Sequence, residues 1–286
     1  MNNFFQFSVF LIFLLLAGRN SCSQPVLYLD FKDGLVKQNE KIISPEMARY
    51  KSDLQLSEFV PGLKDLALDL SENAVLRKPW VLDSTVLPEC NEKSSFSVQI
   101  WVKTLPYAKQ GTPVIGNKKA DSEKDKGWLI YTQENSAWAL NLSDGKNQFN
   151  YIPTVERQAI NDGHWHQLVF SINRDIQEAR IYFDGRNVAI YNIQGLRGME
   201  TNLRTIAGGS DEYWEWGSYG QWNSFNGYID EVKIWDKAIS DEDIIHLYEE
   251  FFPYPEDKKS EHIFGQLKVL SWNIWHGGHR FGKSVG

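Results

Sequence analysis

This 286-residue sequence has few cysteines, few methionines, no excess of basic residues and no apolar run long enough to span a bilayer comfortably. Its two cysteines exclude a disulfide-stapled scaffold and a cysteine-rich zinc site. Thirty Lys and Arg against 37 Asp and Glu leave a net charge of −7, which argues against a broad basic face that would hold nucleic acid. The longest apolar run, Phe7 to Ala17, reads FSVFLIFLLLA and is followed by the small residues Ser21-Cys22-Ser23. Residues 1–23 therefore read as a secretory signal peptide, although Met1 to Gln6 carries no Lys or Arg. The expected location is secreted, periplasmic or cell-surface, with no membrane span after cleavage. Retention of the segment as an anchor and lipidation at Cys22 stay open as alternatives. Cleavage leaves Cys90 as a lone thiol, expected to be buried and inert.

What is abundant is apolar and aromatic. Hydrophobic residues make up 42% of the chain and it holds eleven Trp, enough for a real core and suited to a β-rich protein. From Val26 to Trp235 the signals are strand signals. Phe96, Val98, Ile100 and Val102 alternate with Ser97, Gln99, Trp101 and Lys103, one face apolar and the other mixed. Leu27 to Phe31, Trp128 to Tyr131, Ala137 to Leu142, His164 to Asn173, Ala179 to Phe183 and Asn226 to Trp235 add further strands. Asp184-Gly185 is a tight-turn dipeptide that makes a hairpin. Many strands at short spacing predict an all-β sandwich or barrel.

One helix is predicted after the last strand. Ser240 is an N-cap residue with Asp243 three positions on, and Ile244, Leu247, Tyr248 and Phe251 fall on one face. It should cover one end of the sandwich. Residues 252–266 hold two prolines and a charged run and read as a linker. A new strand, Leu267 to Trp275, follows, then a loop from His276. It has no partner strands after it, and a strand needs neighbours. The expected layout is a signal peptide (1–23), a β-domain (24–251), a linker (252–266) and the start of another domain (267–286).

The run Gly227 to Ser240 followed by the capped helix resembles the C-terminal signature of laminin G-like domains, within the concanavalin A-like lectin/glucanase jelly rolls. Ser95 to Lys103, His164 to Phe170, the hairpin Ala179 to Gly185 and Leu27 to Phe31 fit the same family, so the resemblance spans roughly residues 25–250. It implies an all-β jelly-roll sandwich with one C-terminal helix. The tail, Lys268-Val269-Leu270-Ser271-Trp272-Asn273-Ile274-Trp275-His276-Gly277-Gly278, resembles the first strand of the endonuclease/exonuclease/phosphatase family, an α/β fold of metal-dependent phosphodiesterases. That resemblance implies a parent protein with a Mg²⁺-dependent phosphoester hydrolase domain, in which Asn273 lies at the metal and phosphate site. The acidic and His-bearing strands that complete such a site are not in these 286 residues, so this stretch alone is expected to be inactive.

Candidate binding groups are few. Trp214, Trp216, Tyr219 and Trp222 crowd into the loop Asp211 to Asn223; flat aromatic faces there suit stacking on sugar rings, though they equally suit a small core of the loop's own. Asp30, Asp33 and Asp230 fall on or beside the first and last strands, where Ca²⁺ takes carboxylate and carbonyl oxygens. Hydrogen bonds from turn amides are the other way to satisfy Asp230, which alternation places on the face of Val232 and Ile234. His164 and His166 are spaced to chelate a metal but read as ordinary strand histidines. Asn141-Leu142-Ser143 matches a glycosylation sequon. A glucanase would need paired carboxylates on one face, whereas adjacent Asp230 and Glu231 are expected to point to opposite faces. The sequence thus predicts a non-catalytic module for a glycan or cell-surface ligand, joined to a phosphodiesterase-like domain. The alternative is a free-standing carbohydrate-binding or adhesion protein. Nothing in the sequence fixes the oligomeric state.

Overall fold

The computed structural model describes residues 23–31, 37–38, 41–42, 59–74, 79–108, 111–119, 125–154, 158–210 and 225–253. Asp33, the aromatic loop with Trp214, Trp216, Tyr219 and Trp222, and the tail with Asn273 lie outside them. So do nearly all of the signal segment, its Cys22 included, and the orphan strand.

The described chain is a two-sheet sandwich. Its strands are β1 (Leu27–Asp30), β2 (Lys37–Gln38), β3 (Lys41–Ile42), β4 (Phe59–Pro61), β5 (Leu66–Asp69), β6 (Trp80–Val81), β7 (Phe96–Lys103) and β8 (Pro113–Gly116). They continue with β9 (Gly127–Thr132), β10 (Trp138–Ser143), β11 (Gln148–Tyr151), β12 (His166–Asn173), β13 (Glu178–Phe183), β14 (Arg186–Asn192), β15 (Ile206–Ala207) and β16 (Tyr228–Trp235). The larger sheet runs β14-β13-β12-β7-β16-β1-β2-β3, with β5 beside part of β16 and β4 beside β5; the smaller runs β11-β10-β9-β8-β15-β6. All pairings are antiparallel, so the all-β jelly-roll expectation holds for this part of the chain.

The core follows from alternation. Phe96, Val98, Ile100 and Val102 of β7 meet Leu168, Phe170 and Ile172 of β12 and Trp128, Ile130, Trp138 and Leu140 of the facing sheet. The first and last strands pair, Leu27 opposite Ile234 and Leu29 opposite Val232. Asp184 and Gly185 both take positive φ (50° and 73°), the two-residue turn that joins β13 to β14 with the twist of a hairpin. Cys90 is buried among apolar side chains, and burial pushes its thiol up to about 12.

The helix, α1 (Asp241–Glu249), carries the capping box expected of Ser240 and Asp243. It lies across the outer face of the larger sheet rather than over an end of the sandwich. The reason is a second apolar set on that face: Val169, Tyr182 and Trp235 pack with Ile239, Ile244 and Leu247. Trp101, polar-side by alternation, is fully buried there under Tyr248, Phe251 and Phe252, with ring centroids 5.4–5.6 Å away. No helix among the described residues is long and apolar enough to cross a membrane.

Candidate functional site

Asp230 is the predicted site residue the structure places most firmly, and not where alternation put it. The register of β16 against β7 shifts between Asp230 and Lys233, and Glu231 has a φ of 49°. This bulge inserts one extra residue and resets which side each chain neighbour faces. Asp230 consequently stands opposite Trp101, on the outer face, while Val232 and Ile234 stay in the core. Glu231 faces the same way, bound to Lys233 (2.9 Å) and to the Tyr28 hydroxyl (2.7 Å). The two carboxylates therefore share a face, contrary to the expectation of opposite faces. Both are buried within their own bonding network, not set across an open cleft.

The Asp230 carboxylate accepts the Leu63 amide at 2.9 Å and the Glu231 amide at 2.8 Å. A Cβ at Gly62 would sit 2.5 Å from Asp230 Oδ2, so only glycine lets the loop amide approach. Burial raises the Asp230 pKa to about 7, against the two amides that favour ionisation. Asp30 lies close enough to add to that shift, whereas Asp33 is outside the described residues. Among the described residues no group of three or more His, Cys, Asp or Glu is placed to hold a metal ion.

The two histidines separate. His164 is exposed and precedes β12, whereas His166 is buried between Asp184 (2.9 Å) and Asp162 (3.1 Å) and stacks on Phe183. Burial lowers its pKa, but the two carboxylates outweigh that and the net shift is upward. Asn141, head of the sequon, is buried in β10; its amide donates to Asn150 and its carbonyl accepts Lys118. The folded protein does not present that sequon for modification.

A cleft of about 430 Å³ opens elsewhere, at residues sequence reasoning did not single out. Four segments meet there: Asn91 to Lys93 ahead of β7, Lys126 ahead of β9, the β10–β11 turn, and Arg197 to Glu200 after β14. Its floor is Asp144, whose carboxylate accepts the amides of Lys146, Asn147 and Arg197 (2.6–2.9 Å) and the Asn147 side chain. Burial works against ionisation, but those donors win and hold the Asp144 carboxyl down at about 2. Further bonds fix the walls. Asn91 Oδ1 accepts the amides of Lys93 and Ser94, and the Asn147 side chain donates to the Gly195 carbonyl at 3.0 Å. The Arg174 guanidinium donates to the carbonyls of Leu196 and Arg197, and the Met199 amide donates to the Cys90 carbonyl. These bonds brace the loops, and the charged side chains of the cleft that face solvent are Lys93, Lys126, Lys146, Arg197, Glu92 and Glu200. Among the described residues no aromatic ring lines the cleft.

Comparisons with known proteins follow the fold. The non-toxic nonhemagglutinin type D of a Clostridium botulinum D phage is 22% identical over 157 residues, covering 54% of this chain and 11% of that protein. The binding domain of Paraclostridial Mosquitocidal Protein 1 superposes with a TM-score of 0.55 at 14% identity, covering 80% of this chain and 52% of that one. The binding domain of botulinum neurotoxin DC, solved in complex with SialylT, gives 0.52 at 15% identity over the same shares. The chain therefore spans about half the length of those solved domains and a small part of the curated relative. The description "Concanavalin A-like lectin/glucanases superfamily", for a laminin G-like family, matches residues 83–245, and with more than half its length so matched the chain belongs to that family.

Proposed function

We propose that this protein is an exported binding module for a glycan on a cell or matrix surface. The observation that carries the reading is the preformed, polar, solvent-facing cleft on a lectin-superfamily jelly roll. Its loops are braced by their own hydrogen bonds, so a ligand meets a site that needs little ordering. The similar neurotoxin domain solved with SialylT supports the same ligand class. The segment bearing Trp214, Trp216, Tyr219 and Trp222 is a second candidate, because flat rings suit stacking on sugars. Glycan-array binding of the chain tests the reading: a defined set of bound glycans is expected, and a folded protein that binds none overturns it. Trp214→Ala and Trp222→Ala test the loop, whose role fails if both leave binding unchanged.

Two proposals about other parts of the chain stand beside this. The tail is the start of a metal-dependent phosphodiesterase domain in the parent protein, which the binding module tethers near its substrate. There Asn273 would help hold Mg²⁺ or phosphate through its neutral amide. An open reading frame continuing past Gly286 into acidic and His-bearing strands is expected; an immediate stop codon contradicts it. The second is Ca²⁺ bound by Asp30, Asp33 and Asp230. Added calcium would then raise the melting temperature, and an unchanged melt contradicts it.

A further inference from the structure

The geometry points to the cleft around Asp144 as a site for an anionic saccharide, one whose carboxylate or sulfate groups pair with Lys93, Lys126, Lys146 and Arg197. This inference rests on the glycan-binding reading and names the ligand class and the residues that select it.

The chain as a whole carries a net charge of −7, yet four cations converge on this cleft. None of the four makes a salt bridge among the described residues. Three carboxylates accompany them, but Asp144 is already surrounded by four N–H donors. Asp144 keeps its negative charge, but these donors occupy its oxygens, which leaves Glu92 and Glu200 as the carboxylates that can accept from a ligand. Four cations against three carboxylates leave the lining one positive charge in excess, so an anion on the ligand pairs with the Lys and Arg side chains while Glu92 and Glu200 accept hydrogen bonds from hydroxyls.

The lining also argues for a sugar over other anionic polymers. A bare phosphate backbone presents acceptors alone and would gain nothing from Glu92 and Glu200, which would repel it. A saccharide brings both acid groups and hydroxyl donors, and both find partners here. The described residues of the cleft include no aromatic ring, so they offer a neutral sugar no stacking surface. Recognition by charge is what remains.

Calorimetric titration of the chain with a heparin-derived oligosaccharide, sialyllactose, lactose and single-stranded DNA tests this. Binding of heparin oligosaccharide, sialyllactose or both is expected, weakening as salt rises because the cations are exposed. Arg197→Glu and Lys146→Glu should each weaken it by about tenfold or more, the loss of one charge-assisted contact. Lys64→Glu, the same charge change outside the cleft, should leave it unchanged. All three sites are exposed, and a wild-type melting temperature for each variant would check that it folds. Sialyllactose binding shows that a carboxylate suffices; binding of the heparin oligosaccharide alone shows that sulfate or a higher charge density is required. Unchanged binding by the Arg197 and Lys146 variants, or DNA binding as tight as the saccharide, overturns the inference. If only neutral glycans bind, the glycan-binding reading survives and this inference falls. If no glycan binds at all, both fall.

Discussion

The backbone amide of Arg197 donates to the Asp144 carboxylate at 2.9 Å, joining two loops 53 residues apart in the chain. That bond ties the β10–β11 turn to the segment after β14 and sets the width of the cationic cleft between them. A carboxylate that accepts several N–H bonds prefers its ionised form, and Asp144 does so strongly.

Asp144→Ala should therefore destabilise the fold by about 2 kcal/mol, because it strands amide donors. It should weaken ligand binding as well, although its side chain need not touch the ligand. Denaturant unfolding measures the first effect and titration the second. The pKa of about 2 lies below the ordinary 3.8, so this contribution is present above pH 3.8 and lost as pH falls toward 2. In Asp144→Ala that part of the acid dependence should disappear.

Two groups push the other way in the neutral range. The His166 pKa is raised above 6.5, so its contribution is full below that value and lost as pH rises through the folded-state pKa. The Asp230 pKa is raised from 3.8 to about 7, so its contribution likewise falls as pH rises between those values. In calcium-free buffer, melting temperature against pH should decline from mildly acid to mildly alkaline conditions. Asp230→Asn should flatten the part below neutrality and His166→Gln the part above 6.5. A profile identical in all three proteins contradicts the assignment.

The helix contributes through one side chain of the sheet. Trp101 stacks on Tyr248 and Phe252 and meets the edge of Phe251. Trp101→Ala should cost about 3–5 kcal/mol, the range for a large buried aromatic. Ser240→Ala, which removes only the cap, should cost about 1 kcal/mol. The ratio of the two, from denaturant unfolding, checks that packing rather than capping holds the helix.

Cys90 should resist thiol reagents in the folded protein and react on unfolding, since burial raises its pKa to about 12. Rapid labelling under native conditions would contradict its placement in the core.

Local patterns carried much of this fold into view. Phe96 to Lys103 alternates because one face meets the core, and Ser240 with Asp243 marks a helix start because their side chains cap it. Two features escaped. The bulge at Glu231 needs a left-handed residue in mid-strand, which nothing in Tyr-Ile-Asp-Glu-Val announces, so simple alternation puts Asp230 on the wrong face. The cleft is built from charges on turns spread from Asn91 to Glu200, where no periodicity links one to the next. The local hint was Asp144-Gly145, a turn pair whose carboxylate bonds forward to Lys146 and Asn147. Its bond to Arg197 is a matter of tertiary placement.

Amide chemical-shift mapping of the isotope-labelled chain during titration with the anionic saccharide tests the account most directly. Perturbations at Lys93, Lys126, Lys146, Asn147 and Arg197 are predicted, saturating together along one binding curve. Perturbations confined to residues 211–223, with the cleft amides unmoved, would contradict it.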